Sequence, residues 1–448
     1  MRALSRPRRP AMERSMQQSK SFYGWKLLFF FWLIIVLNFC FPTFGTSVVN
    51  TYMAKAMHLS GKEHGLAFTV FSLMAGLPGP LVAMSIRRFG IRPTLVAGTL
   101  ISSIGAFLMA SWVTSLPRAI FAFGVVVGAG VALAGTIGPQ VGAARWFHEK
   151  RGRAMSLVLT ASGIGGFIAV PTLNAVIARA GGDWRAAWWL MSGMSLVATV
   201  IAAIFVRESP AQMGQVPDGD EAVAAESSNA RASRTSRGVY KTTEDWTLAE
   251  AFRTPTLWLL ILTYLGFFMG FFIYIAHGMR HLEALGYAPG RAAESISIVL
   301  ISSMIGQTTV AVIGDRVEPR FISAVAVCLY GAGTLLAINA VTPMMMYSYA
   351  ILMGTGFSMA FTCMATILSN YYGPKVYPAL LGVTTPLGTT LGAVGPVAAG
   401  ALYDRFHSYS QVFELVGGIC FASAVLYLLA KPPVRAAARS NVEPVRVA

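Results

Sequence analysis

Charge is scarce in this chain. Asp, Glu, Lys and Arg make up 12% of its 448 residues, while hydrophobic residues make up 55%; an ordinary soluble domain is roughly 25% charged. So little charge cannot cover a globule of this size, which argues against a water-soluble enzyme or binding module and makes the bilayer the better solvent. Cysteine is scarcer still. Cys40, Cys328, Cys363 and Cys420 each sit in an apolar run with no close pair and no metal-ligand spacing, and they read as small core hydrophobes. No Ser/His/Asp set, metal-ligand cluster or phosphate loop is visible, so the chain is not expected to be an enzyme and no cofactor or metal is expected.

What the sequence does have is a recurrence of long apolar stretches. Crossing roughly 30 Å of hydrocarbon takes about 20 apolar residues. Twelve stretches meet that length, near residues 24–50, 64–86, 92–113, 118–144, 152–179, 185–206, 255–280, 293–313, 320–340, 343–370, 377–403 and 409–430. The first follows a basic tail and lacks a small-residue cleavage site, so it reads as an uncleaved span. Of the 35 Lys and Arg residues, all but Lys55, Lys62, Arg118, Arg179, Arg185, Arg280, Arg291 and Arg405 fall on the side of the N-terminus. Positive residues favour the cytoplasmic face. Both termini are therefore expected inside, and the net charge of +16 needs no nucleic-acid partner. The expectation is an all-α, multi-pass integral membrane protein in the inner (plasma) membrane of a bacterium.

Residues 207–253 break the apolar pattern with "DGDEAVAAESSNARASRTSRG", rich in charge, Ser and Ala, and read as a cytoplasmic linker. The expected organisation is a basic tail 1–21, a six-helix half 22–206, the linker, a second six-helix half 254–430 and a tail 431–448. The halves repeat. Sliding by 225 residues pairs Lys150 with Lys375, Ala154 with Ala379, Val158 with Val383, Thr160 with Thr385, Gly163 with Gly388 and Pro171 with Pro396. The loops after the second and eighth spans match at an offset of 228, "RRFGIR" against "DRVEPR". Two parallel repeats of six imply two pseudo-symmetric bundles around a central cavity near the midplane.

These residues resemble the major facilitator superfamily, and within it the monocarboxylate transporters and the bacterial oxalate/formate antiporter-like group. The resemblance covers nearly the whole chain and is carried by "FYGWK" (22–26), "RWFHEKRGRAMSLVLTASGIGG" (145–166) and "DWTLAEAFRTPTLWLL" (245–260). It implies a cytoplasmic gate at the loops after the second and eighth spans, where the family usually carries an Asp-Arg pair. Here the first copy reads Arg87 and Arg88, and the pair stands in the second copy as Asp315 and Arg316. Relatives that move small carboxylates commonly carry an Arg after a Gly in the eighth span, and oxalate transporters add a Lys in the eleventh. This chain has Gln307 after Gly306 and no cation in "LLGVTTPLGTTLGAVGP". Oxalate is therefore not expected.

Without deep charge, recognition falls to uncharged polar groups, aromatics and helix ends. Thr136 with Gln140 and Ser303 with Gln307 are each four apart and share a helix face. Asn38, Thr160, Thr384 and Thr385 are the other intramembrane candidates; for hydroxyls the alternative is interhelical hydrogen bonding. At the end of the seventh span, "YIAHGMRH" sets Tyr274, His277 and Arg280 or His281 along one stripe, either an anion and proton site or an interfacial anchor. No Asp or Glu sits clearly at the midplane. The expected function is transport of a small organic solute, a monocarboxylate or other organic anion, by rocking of the two halves. Protons or a counter-transported anion are the candidate coupling species, and the chain is expected to act as a monomer. An exporter of amphipathic or drug-like compounds, using Phe267, Phe268, Phe271 and Phe272, stays open beside it, with a non-transporting sensor as the remote alternative.

Overall fold

The computed structural model describes residues 22–147, 151–216, 239–242, 244–314, 316–373 and 376–433. Every regular element among them is helical. The spans are α1 (Tyr23–Ala56), α2 (Gly61–Gly76 and Gly79–Phe89), α3 (Ile91–Ser111), α4 (Leu116–Trp146), α5 (Arg151–Arg179), α6 (Arg185–Phe205), α7 (Pro255–Ala284), α8 (Pro289–Ile313), α9 (Pro319–Ile338), α10 (Pro343–Tyr372), α11 (Tyr377–Gly392 and Val394–Phe406) and α12 (Ser410–Leu429). Eleven of the described helices are long and apolar enough to cross a membrane singly, and α2 makes a twelfth as a pair bent by 40°. Pro78 and Pro80 lack the N–H groups that would carry a straight helix through that bend. The ends joined to the linker segment are called the linker end below, and the opposite ends the distal end.

Helix starts follow the capping rules. Ser60 and Glu63 form a reciprocal box at the head of α2, and Pro255, Pro289, Pro319 and Pro343 occupy first-turn positions where a missing N–H costs nothing. The inner helices are less regular. In α1 the hydrogen bonding widens to i→i+5 over Ile35–Gly45, a stretch that contains Pro42. The Thr46 hydroxyl donates to the Pro42 carbonyl at 2.7 Å, so the bend is satisfied within the chain. Helix α4 widens over Ile120–Val127 and breaks at Gly135–Thr136, and α11 breaks at Ala393. Pro171, the repeat partner of Pro396, lies in an unbroken α5.

Helices α1–α6 and α7–α12 form two halves. They meet through α2 against α11 and α5 against α8, the pairs that the internal repeat exchanges. Within the first half, Glu208, just past α6, accepts hydrogen bonds from the backbone N–H of Ile91 and of Arg92, both at 2.8 Å, and from Arg145 at 3.1 Å. One carboxylate thus caps α3, where the helix dipole favours an anion, and ties it to the end of α4. Gly90 makes room: its φ is +99°, and a Cβ there would meet the Glu208 carboxylate. Replacing Glu208 with Ala should lower stability by about 1–3 kcal/mol, read as a drop in the thermal midpoint of the purified protein, with Glu208→Gln falling between.

Candidate functional site

The wall of the site in the first half comes from α4. Its second segment, Ile137–Trp146, starts inside the span. Gly138 and Gly142 pack against Leu95 of α3 and Phe31 of α1, where a Cβ would crowd the neighbour. At 100° per residue, Thr136 and Gln140 stand on the opposite side, turned away from the rest of their half, and both are half-buried. The N–H groups of Ile137 and Gly138 begin the segment, Pro139 has none and the Gln140 N–H donates to the Thr136 carbonyl at 3.1 Å, so a partial positive charge of two N–H groups stands inside the span. Phe39 of α1 lies against Gly135 at the break. Asn38 beside it is fully buried, with neither amide atom paired.

The candidate residues of the second half lie on α7, α8 and α10. On α8, Leu300, Ser303 and Met304 pack toward Gly163 and Gly166 of α5, and Gly306 packs on Ser358 of α10. Gln307 continues the Ser303 stripe one turn nearer the linker end, and both are half-buried. Beside them Phe271 stacks on Phe357 at 4.1 Å, and Phe268 meets Phe357 at 5.8 Å and Phe361 at 5.9 Å. Phe267 is fully buried, whereas Phe361 is 43% exposed although its ring packs on the inner face of α7. The two walls are polar but uncharged on α4 and α8, and aromatic on α7 and α10.

Other candidates lie elsewhere. Thr160 accepts the Trp32 indole N–H at 3.2 Å and thereby joins α5 to α1. Thr384 is buried and donates to Leu380 of its own helix at 2.9 Å. The Thr385 side chain lies outside the described residues, as does Asp315. Arg87, Arg88 and Arg316 are exposed at the linker end. On the α7 stripe His277 and His281 both pack on Tyr409. Tyr274 turns to Tyr349 of α10 at 3.3 Å and His281 to the Ala337 carbonyl of α9 at 2.7 Å. His277 meets the Pro396 carbonyl of α11 at 2.8 Å, and Arg280 lies 5.2 Å over the Tyr403 ring.

Those last two belong to a seam closing the distal end. Gly61 and Gly65 of α2 lie on Gly400 and Pro396 of α11, backbone to backbone, with no room for a Cβ. Asp404 accepts from the Gly61 N–H at 2.7 Å and the Lys62 N–H at 2.9 Å, so an anion from one half caps a helix of the other. Lys55 pairs with Glu283 at 2.7 Å, the Thr69 hydroxyl donates to the Ala393 carbonyl at 2.6 Å, and His64 meets the Ala276 carbonyl at 2.7 Å. All hydrogen bonds and ion pairs described between the halves lie in the distal half. Sequence reasoning missed Asp404, His64 and Glu283. A signal existed for the first: the 225-residue repeat sets Asp404 opposite Arg179, an acid where the first copy has a base.

Comparison with known proteins agrees with this architecture. The family model described as Major Facilitator Superfamily matches residues 30–394, and again 296–447. Monocarboxylate transporter 4 of Mus musculus is 22% identical over 415 residues, covering 91% of this chain and 83% of its own length. Monocarboxylate transporter 13 of Bos taurus is 27% identical over 347 residues, covering 76% and 74%. Among solved structures, the D-xylose-proton symporter superposes with a TM-score of 0.67 at 17% identity, covering 91% of this chain and 97% of that one. A bacterial homolog of the human lysosomal transporter Spinster, inward-facing and occupied, gives 0.69 at 16% identity, covering 92% and 97%. At these identities the structures speak to the fold alone.

The seam makes a direct prediction. Gly65→Leu should wedge α2 from α11 and expose a cysteine placed at Thr69 to an impermeant thiol reagent from the distal side. Gly193→Leu, at a position with open space around it, should leave that cysteine protected.

Proposed function

The chain belongs to the major facilitator superfamily, and from that premise we propose that it carries a small organic monoanion with an apolar body, a monocarboxylate or aromatic acid, by alternating closure of its two ends. The observation that carries this reading is the break in α4. It sets a helix N-terminus beside Thr136 and Gln140, and in this reading Ser303, Gln307 and the phenylalanines of the second half stand across the cavity from it. Broken helices in transporters direct such N-termini at anionic groups. A carboxylate can thereby be held by partial charges and amides where a carboxylate carrier's usual cation is missing, and the aromatic wall suits the rest of the solute. The names of the relatives point to the same substrate class.

In this reading the linker end is cytoplasmic, as the excess of Lys and Arg there favours, and the chain works as a monomer in the plasma membrane. The closed distal seam then corresponds to an inward-open state. Export of amphipathic compounds is the second reading, favoured by the aromatic wall of Phe268, Phe271, Phe272, Phe357 and Phe361.

Proteoliposomes containing the protein should take up aliphatic or aromatic monocarboxylates, and Gln140→Leu or Gln307→Leu should cut the rate at least about tenfold, equivalent to about 1.4 kcal/mol of lost binding in the transition state. Saturable flux of neutral amphiphiles alone, with a deletion strain sensitised to hydrophobic toxins, would favour export. No protein-dependent flux of any acid would refute the substrate class.

A further inference from the structure

The distal seam contains titratable groups that solute recognition does not use. His64 of α2 and His277 of α7 come from different halves, both are buried, and their ring centroids are 5.1 Å apart. Each ring turns Nε2 to a backbone carbonyl, His64 to Ala276 across the seam at 2.7 Å and His277 to Pro396 at 2.8 Å. A carbonyl can only accept, so both Nε2 atoms carry the hydrogen, and in the neutral rings both Nδ1 atoms keep a lone pair. The Tyr409 hydroxyl donates to Nδ1 of His277 at 3.0 Å. The closed seam thus fixes both tautomers and leaves each imidazole one place to take a proton.

The surrounding charges decide what that proton would do. On α1 stand Lys55 and Tyr52, on α2 Lys62 and Glu63, and on α7 Arg280, His281 and Glu283. Tyr403 and Asp404 come from α11, and Tyr409 heads α12. Asp404 caps α2 and Glu63 closes the capping box on Ser60, while Glu283 pairs with Lys55 through Oε2 and keeps a buried, unpaired Oε1. Arg280 rests on the Tyr403 ring with Nη1 buried and unpaired. The charge that acts on both imidazoles is that of Arg280.

We propose that the His64–His277 pair is a proton-binding site shared by the two halves, and that its occupation opens the distal seam. An imidazolium on either ring is buried against the second ring and the Arg280 guanidinium. Parting the halves gives the new charge to solvent. The sign follows: the neutral pair holds the seam closed, and falling pH opens it. The proposal rests on the alternating reading, since a seam that closes must also open, but not on the identity of the solute.

The test uses the full chain in lipid nanodiscs without solute, spin-labelled at Ala180→Cys and Ala288→Cys in the distal loops after α5 and α7. Distances are measured from about pH 8 to about pH 5, either side of the ordinary imidazole range, with Gly65→Leu as a wedge control. The expected result is a shift of the distance distribution to longer values as pH falls. In the His64→Gln/His277→Gln variant, which keeps a donor for each carbonyl, the shift should shrink at least about fivefold. An unchanged distribution in the unsubstituted pair, a shorter distance at low pH, or an equal shift in the double variant would overturn the proton site. If the wedge control also leaves the distance unchanged, the alternating reading falls with it.

Discussion

Hydrocarbon offers no hydrogen bonds, so each backbone group in a span must find its partner within the protein. That constraint makes the described core entirely helical and decides where the helices can be interrupted. The wide turn of α1 around Pro42 is repaired by the Thr46 hydroxyl. At the α11 break, the Ala393 carbonyl takes the Thr69 hydroxyl of the other half. The break of α4 at Gly135 lies beside Thr136, Gln140 and the unpaired amide of Asn38. These three interruptions lie beside polar side chains, and the last two stand where the halves or the solute would meet.

The same constraint explains how two halves can part without strands or loops crossing between them. Their distal contact is made by glycines laid on backbone, Gly61 and Gly65 against Gly400 and Pro396, and by Asp404 on the head of α2. Small residues give close approach without interlocked side chains, and a capping carboxylate is held by a few charge-assisted bonds. Both kinds of contact can release as a unit. In the proposed cycle the polar and aromatic walls would then see one side of the membrane or the other.

Much of this was legible in the sequence, and the limits are physical. The spans show because hydropathy is local, and the pairs Thr136–Gln140 and Ser303–Gln307 show because residues four apart share a helix face. The bend in α2 was foreshadowed by Pro78 and Pro80, yet the span read as one helix because hydropathy does not register geometry. Along the α7 stripe His277 and His281 share one neighbour, Tyr409, while Tyr274 meets Tyr349 of α10 and Arg280 meets Tyr403 of α11, partners that local sequence cannot name. Glu208 was invisible because its partner lies 117 residues away and nothing local distinguishes a capping carboxylate from a solvated one, whereas Asp404, whose partner lies 343 residues away, was marked only by its place opposite Arg179 in the repeat.

The central claim is that the α4 and α10 walls face one cleft, open at the linker end and sealed at the distal end. Single cysteines at Gln140 and Phe361, in a background without the native thiols, can be probed with an impermeant thiol reagent applied separately to each face of oriented membrane vesicles. The account predicts that both react from the linker side and are protected from the distal side. Reaction of either from the distal side alone, or protection of both from either side, would contradict it.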